Sequence, residues 1–317
     1  MEGLGRVRAV GAPARLNATM LRLVPLLLLL ASCAMNASSS MRVTSGSVAA
    51  ADGVEIAWDA RGTGEPAIVL VHGWVSDRNV WRNQVNVLAE DHRVVSLDLA
   101  GCGRSGTQRT EWSVDVLGDD IARVVESLGL RRVVLVGHSL GGQACLAAAA
   151  RLRGRVLGVV GVDTLHDVEY RFTQQVVNDM NDAFVANYPG QVDFMVRSVF
   201  PADAPAELVD WTVERALVQD QSAALSLLRS YPKLDMAALV AGADVPIRCI
   251  NAGADAKDVP TDQVGKVPTT QVARNRRYGD FDARFLPGRG HYLMLTEPEA
   301  VNDAIRNWAR EFSQRQP

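Results

Sequence analysis

The sequence has little cysteine, few aromatic residues and no surplus of basic charge. Four cysteines in 317 residues are too few for a disulfide-stapled scaffold. Lys+Arg number 33 against 36 Asp+Glu, a formal net charge of −3. Nothing in that balance neutralises a phosphate backbone, so general nucleic-acid binding is excluded. No apolar run reaches the roughly 20 residues that a membrane-spanning helix needs. Cysteine and histidine show no C-x-x-C or H-x-x-x-H spacing, so neither a metal nor an organic cofactor is expected. What remains is 48% hydrophobic and 22% charged, the composition of a globular chain with a large core.

Residues 21–30 read LRLVPLLLLL, behind a basic start and ahead of small residues. That is the layout of a secretory signal. The run ends Leu30-Ala31-Ser32-Cys33, which resembles the bacterial lipobox. The resemblance implies acylation of Cys33, and an exported protein: a cell-envelope lipoprotein, or a periplasmic or secreted one. Contact with a membrane is then through the Cys33 anchor alone. Met20 is an alternative start to Met1. Residues 1–32 form the signal, and 33–47, rich in Ser and small residues, a flexible tether. Cleavage removes Arg6, Arg8, Arg15, Arg22 and Glu2, which shifts the net charge from −3 to −6.

From residue 48 the pattern is α/β. Apolar β-branched runs at 67–71, 93–97, 132–136, 156–162 and 247–250 suit strands buried on both faces of a parallel sheet. Helical patterns at 79–90, 114–128 and 140–153 separate them, and 47–58 suits one or two antiparallel edge strands. Such alternation predicts a mostly parallel, doubly wound sheet. Residues 165–240 break it. Phe172, Val176, Met180 and Phe184 recur every four residues, Leu208, Trp211 and Leu217 mark a second helix, and no strand is evident. The block reads as a helical cap or lid inserted into a core of 48–164 and 241–317. Its apolar positions, Phe194 included, suggest a hydrophobic substrate group.

Three strand ends carry the chemistry. Gly137-His138-Ser139-Leu140-Gly141 is G-x-S-x-G between a strand and a small-residue helix, the setting that exposes a nucleophilic hydroxyl on a strained turn. His72-Gly73-Trp74 follows the run at 67–71. Asp98-Leu99-Ala100-Gly101-Cys102-Gly103-Arg104-Ser105 follows the run at 93–97. Its glycines do not make a dinucleotide cradle, because no helix opens at the loop and no second strand with an acidic end follows.

HGW, DLAGCGRS and GHSLGG in this order resemble the α/β-hydrolase superfamily, over residues 50 to 312. The resemblance implies Ser139 as nucleophile, with Trp74 and Leu140 offering oxyanion-hole N–H groups. It places the base at His291, in Pro287-Gly288-Arg289-Gly290-His291 after the strand at 282–286. His92, His138 and His166 are the competing bases. Thr296-Glu297-Pro298-Glu299 then reads as a capping box for the closing helix. The acid is expected at Asp255, after the run at 247–250, with Asp163 and Asp258 as alternatives. The loop 256–271 is longer and more polar than usual for that crossing.

The activity implied is hydrolysis of a carboxylic ester, or a related acyl bond, in a small and hydrophobic molecule. C–C bond hydrolases, lactonases and cofactor-free haloperoxidases share the same motifs. From another class, a non-catalytic ligand-binding surface lipoprotein is the competing reading. Cys102, Cys145 and Cys249 have no evident pairing.

Overall fold

In the computed structural model, residues 42–253 and 270–315 are described. The signal, Cys33, most of the tether, Asp255 and Asp258 lie outside the described residues. Eight strands form one sheet: β1 (Thr44–Ala49), β2 (Glu55–Arg61), β3 (Ala67–Val71), β4 (Val94–Leu97), β5 (Val133–His138), β6 (Val156–Val162), β7 (Ile247–Gly253) and β8 (Phe281–Pro287). Their order is β1-β2-β4-β3-β5-β6-β7-β8. β1 and β2 are antiparallel, β2 is antiparallel to β4, and every other neighbour is parallel. The continuous apolar runs occupy the centre, where β3, β4 and β5 are buried along their whole length. A run without polar alternation has no face to give to water, so it must be covered on both sides.

Helices supply that cover. After α1 (Val85–Leu88) come α2 (Val114–Ser127) and α3 (Leu140–Arg151). The alanine-rich α3 is buried along most of its length. Gly118 lets α2 lie directly on it: a Cβ there would sit 2.5 Å from the Ala147 Cβ. Between β6 and β7 the chain is helical: α4 (Gln174–Ala186), α5 (Tyr188–Ser198), α6 (Ala206–Leu217), α7 (Gln221–Leu228) and α8 (Met236–Ala243). α9 (Thr270–Asn275), α10 (Leu293–Thr296) and α11 (Pro298–Gln314) complete the fold. Val301, Ile305, Trp308 and Phe312 bury one face of α11.

Local differences from the sequence reading have physical causes. β1 starts at Thr44, inside the stretch expected as tether, because Thr44 to Ala49 find partners on β2. Residues 79–90 are not one helix. Asp77 caps a 3₁₀ turn at Arg78–Trp81, and the buried Gln84 amide donates to the Met294 carbonyl (3.1 Å) before α1 begins. Thr296 caps nothing: it ends α10, its hydroxyl turned back to the Tyr292 carbonyl, and Glu297 is the residue before α11. α4 begins after Phe172 and buries Val177 and Phe184, leaving Val176 exposed.

Candidate active site

Ser139 stands between β5 and α3 with φ 52° and ψ −123°. A non-glycine residue in that region is strained, and the surroundings must hold it there. They do so from two sides. The Ser139 N–H donates to the Val162 carbonyl (3.1 Å), and its carbonyl accepts from the Thr164 hydroxyl (2.7 Å). Glycine is needed where the HGW turn runs against the elbow. A Cβ on Gly141 would lie 2.4 Å from the His72 carbonyl oxygen, and one on Gly73 would lie 3.1 Å from the Ser139 Cβ.

His72 ties the strand-end loops together. Its Nδ1 donates to the Gly73 carbonyl (2.8 Å), and its Nε2 accepts from the Leu99 N–H (2.9 Å). Burial pushes its pKa down, so it is neutral and structural. Asp98 is enclosed by the Arg78 and Arg104 N–H groups and the Arg78 guanidinium. The glycine loop around it therefore binds its own carboxylate, not a phosphate.

Trp74 anchors its indole N–H on the Ala224 carbonyl (3.0 Å) of α7. The next residue, Val75, has φ 44°, an unusual value for a β-branched side chain. Among the described residues, the backbone N–H groups of Trp74 and Leu140 donate to no protein acceptor. The Leu140 N–H is one of the unpaired donors that every helix leaves at its first turn. Both residues line the same pocket.

His291 follows β8 and is 28% exposed. Three elements grip it. Its N–H donates to the Val199 carbonyl (2.8 Å), just past α5. Its own carbonyl accepts from His138 Nε2 (3.1 Å), and the two rings lie 4.5 Å apart. Its Nδ1 donates to an Asp163 carboxylate oxygen. Phe200 stacks on the neighbouring Tyr292, with ring centres 5.0 Å apart.

Asp163 directly follows β6 with φ 47°. Its other oxygen accepts from the Ala252 N–H (2.7 Å) and lies 3.2 Å from His166 Nε2. Burial alone would raise its pKa. The His166 and His291 contacts outweigh burial and hold the carboxyl well below the usual carboxylate range. The carboxylate beside His291 is thus the one expected only as an alternative. β7 separates β6 from β8 in the sheet, so the turn that carries His291 reaches across the end of β7 to the residue one step past β6. Asp255, the expected acid, and Asp258 lie outside the described residues.

A family model described as "alpha/beta hydrolase fold" matches residues 66–264. The chain belongs to the α/β-hydrolase family. Strigolactone esterase D14 of Arabidopsis thaliana is 25% identical over 259 residues, 77% of this chain and 92% of that protein. A thermophilic esterase from Thermogutta terrifontis superposes with a TM-score of 0.71 at 23% identity, covering 85% of this chain and 99% of that one. Some of the similarity is partial. The chain spans 29% of the dihydrolipoyllysine-residue acetyltransferase component of the acetoin cleaving system of Cupriavidus necator, at 30% identity over 108 residues and 34% of its own length.

Of the competing histidines in this α/β-hydrolase chain, His92 bonds to the Pro66 carbonyl (2.9 Å), far in sequence from the elbow motif. His138 is buried under the elbow. Burial and then the nearby His291 push its pKa well down. A carbonyl only accepts, so the His138 Nε2 carries the proton and Nδ1 is a bare, unpartnered acceptor. The aromatic residues expected to face a substrate do not line the pocket. Phe194 is 69% exposed, and Trp211 lies under the Arg82 guanidinium. The helical insertion contributes Gln219, Asp220, Ala223, Ala224 and Leu227 instead. The Val199 carbonyl and the Thr164 hydroxyl had no sequence signal, because their roles depend on distant segments meeting. Among the described residues no cluster of His, Cys, Asp and Glu suits a metal ion, and Cys102, Cys145 and Cys249 are free thiols.

Proposed function

We propose that this α/β-hydrolase chain is a serine hydrolase that cleaves a carboxylic ester through an acyl-enzyme. The observation that carries the reading is His291, oriented by Asp163 through Nδ1 and held by His138 beside the strained Ser139 turn. With Nδ1–H engaged, Nε2 is left as the free base. It takes the Ser139 proton as Oγ attacks the ester carbonyl. The oxyanion forms against the Trp74 and Leu140 N–H groups, whose lack of a protein acceptor leaves them ready to receive charge. His291 then hands the proton to the departing alkoxide oxygen. Water, deprotonated by His291, hydrolyses the acyl-enzyme and frees Ser139. Asp163, not Asp255, is the acid in this proposal; it stabilises the imidazolium without taking the proton.

The helical block 165–240 acts as the cap over this site, and Cys33 as the lipid-bearing first residue of an exported mature chain. A fluorophosphonate probe followed by peptide mass analysis tests the chemistry. The expected result is a single adduct on Ser139, lost in Ser139→Ala together with hydrolysis of p-nitrophenyl esters. Full esterase activity in folded Ser139→Ala would overturn the proposal. Metabolic labelling with a fatty acid, lost in Cys33→Ser, tests the anchor.

A further inference from the structure

The pocket beside the elbow has a direction. It runs between the turns after β3 and β4, the start of α2 and helix α7. Leu140 and Trp74 line it, but His291, Tyr292 and Asp163 do not. The leaving oxygen of an ester must receive its proton from His291, so the alcohol group points to that side. The group that stays on the carbonyl points the other way, past the Trp74 and Leu140 N–H donors. We propose that this pocket is the acyl subsite, that it takes a short uncharged aliphatic acyl group of acetyl to butyryl size, and that Trp112 sets its depth. The inference rests on the acyl-enzyme reading of Ser139.

The walls argue for both size and polarity. Small and apolar residues line the pocket, Ala100, Gly101, Ala223, Ala224 and Leu227 among them, which leaves room for a short chain only. Its closed part lies where the Trp112 ring and Ala223 converge on Gly101. A Cβ on Gly101 would sit 2.6 Å from the Ala223 Cβ and 3.1 Å from the Trp112 ring. Trp112 is itself fixed, its indole N–H on the Arg109 carbonyl (3.1 Å).

The polar lining is already engaged. Gln219 accepts from the Gly103 N–H (2.7 Å) and donates to the Arg215 carbonyl (2.6 Å). An Asp220 oxygen caps α7 by accepting from the Ala223 N–H (2.7 Å). Burial pushes the Cys102 thiol up to about 12, so it stays neutral. Among the described residues no cation lines the pocket, and the Asp220 carboxylate repels an acyl group bearing negative charge.

Chain-length kinetics test the assignment. For p-nitrophenyl esters of the full-length protein, kcat/KM is expected to peak between acetyl and butyryl. It falls for octanoyl, and the hemisuccinyl ester, similar in length to butyryl but anionic, is rejected. Trp112→Ala raises the octanoyl-to-butyryl ratio of kcat/KM by about tenfold or more, the worth of apolar contacts in a hydrophobic slot. Ala224→Val narrows the same pocket from α7 and shifts preference toward acetyl, which keeps the test open should Trp112→Ala fail to fold. If Ser139 labels normally but neither variant moves the chain-length profile, or if hemisuccinyl equals butyryl, the subsite assignment is overturned alone. If folded protein takes no label at Ser139, the acyl-enzyme reading itself has failed.

Discussion

The Asp163 carboxylate meets His291 Nδ1 across 128 residues of chain, joining the end of β6 to the turn after β8. Asp163→Asn removes the charge and presents an amide that favours the wrong imidazole tautomer. On the proposed mechanism kcat/KM falls by about four orders of magnitude, as expected when a triad acid becomes an amide. Asp255→Asn changes it by no more than about twofold. Steady-state assays of the two variants side by side decide which aspartate is the acid. Loss with Asp255→Asn and retention with Asp163→Asn would reverse the assignment.

The approach of the HGW turn to the elbow makes Gly73 sensitive to a single methyl group. In Gly73→Ala the new Cβ meets His138 Nδ1 at 2.9 Å and the Ser139 Cβ at 3.1 Å. Overpacking of this kind costs about 1–3 kcal/mol. Both the oxyanion turn and the serine must shift, so the fluorophosphonate labelling rate drops by about 100-fold, a loss typical of a small misplacement. The melting temperature falls by several degrees. Stopped labelling reactions and thermal melts read the two effects separately.

Phe200 lies in the insertion but stacks on Tyr292, next to His291. Phe200→Ala removes a contact worth about 1 kcal/mol and loosens the segment whose Val199 carbonyl holds the His291 N–H. The expected outcome is a kcat about fivefold lower, close to that free energy, with KM for p-nitrophenyl acetate little changed. A rise in KM alone would place Phe200 in substrate binding instead.

His138 makes stability depend on pH. Burial keeps its folded pKa well below that of the unfolded chain, which is about 6.5. As pH falls below that value the unfolded state takes up a proton that the folded state refuses. Stability is therefore lost on the acid side, by up to about 1.4 kcal/mol per pH unit. His138→Gln keeps a donor for the His291 carbonyl but has no such titration. The gap in melting temperature between wild type and variant should shrink from pH 7.5 to pH 5.5. A constant gap would mean that His138 is not buried neutral.

The strand-end turns that carry Ser139, Trp74 and His291 are legible in the sequence, because their signals are local. A strand followed by Gly-x-Ser-x-Gly dictates a strained turn by backbone geometry alone, and Ser139 is where the motif puts it. The turn after β3 and the late Gly290-His291 were found for the same reason: each sits at a strand end that continuous apolar runs betray. The parallel sheet followed from those runs, since burial on both faces leaves its mark residue by residue.

The carboxylate beside His291 was not legible. Asp163 and Asp255 each follow a strand, and choosing between them requires knowing how far the His291 turn reaches across the sheet. Pocket polarity was equally hidden. Phe194 and Trp211 have the composition of a substrate wall, yet helix rotation turns one to solvent and the other to Arg82. The lining comes instead from Ala223, Ala224 and Trp112, ordinary residues in sequence. The sequence by itself determined the sheet, the serine turn and the strand end that carries His291, because periodicity and turn chemistry act over a few residues. Only the tertiary structure decided the carboxylate beside His291, the helical insertion's hold on His291 and the walls of the pocket. Those depend on distances between segments far apart in the chain, and no local pattern carries them.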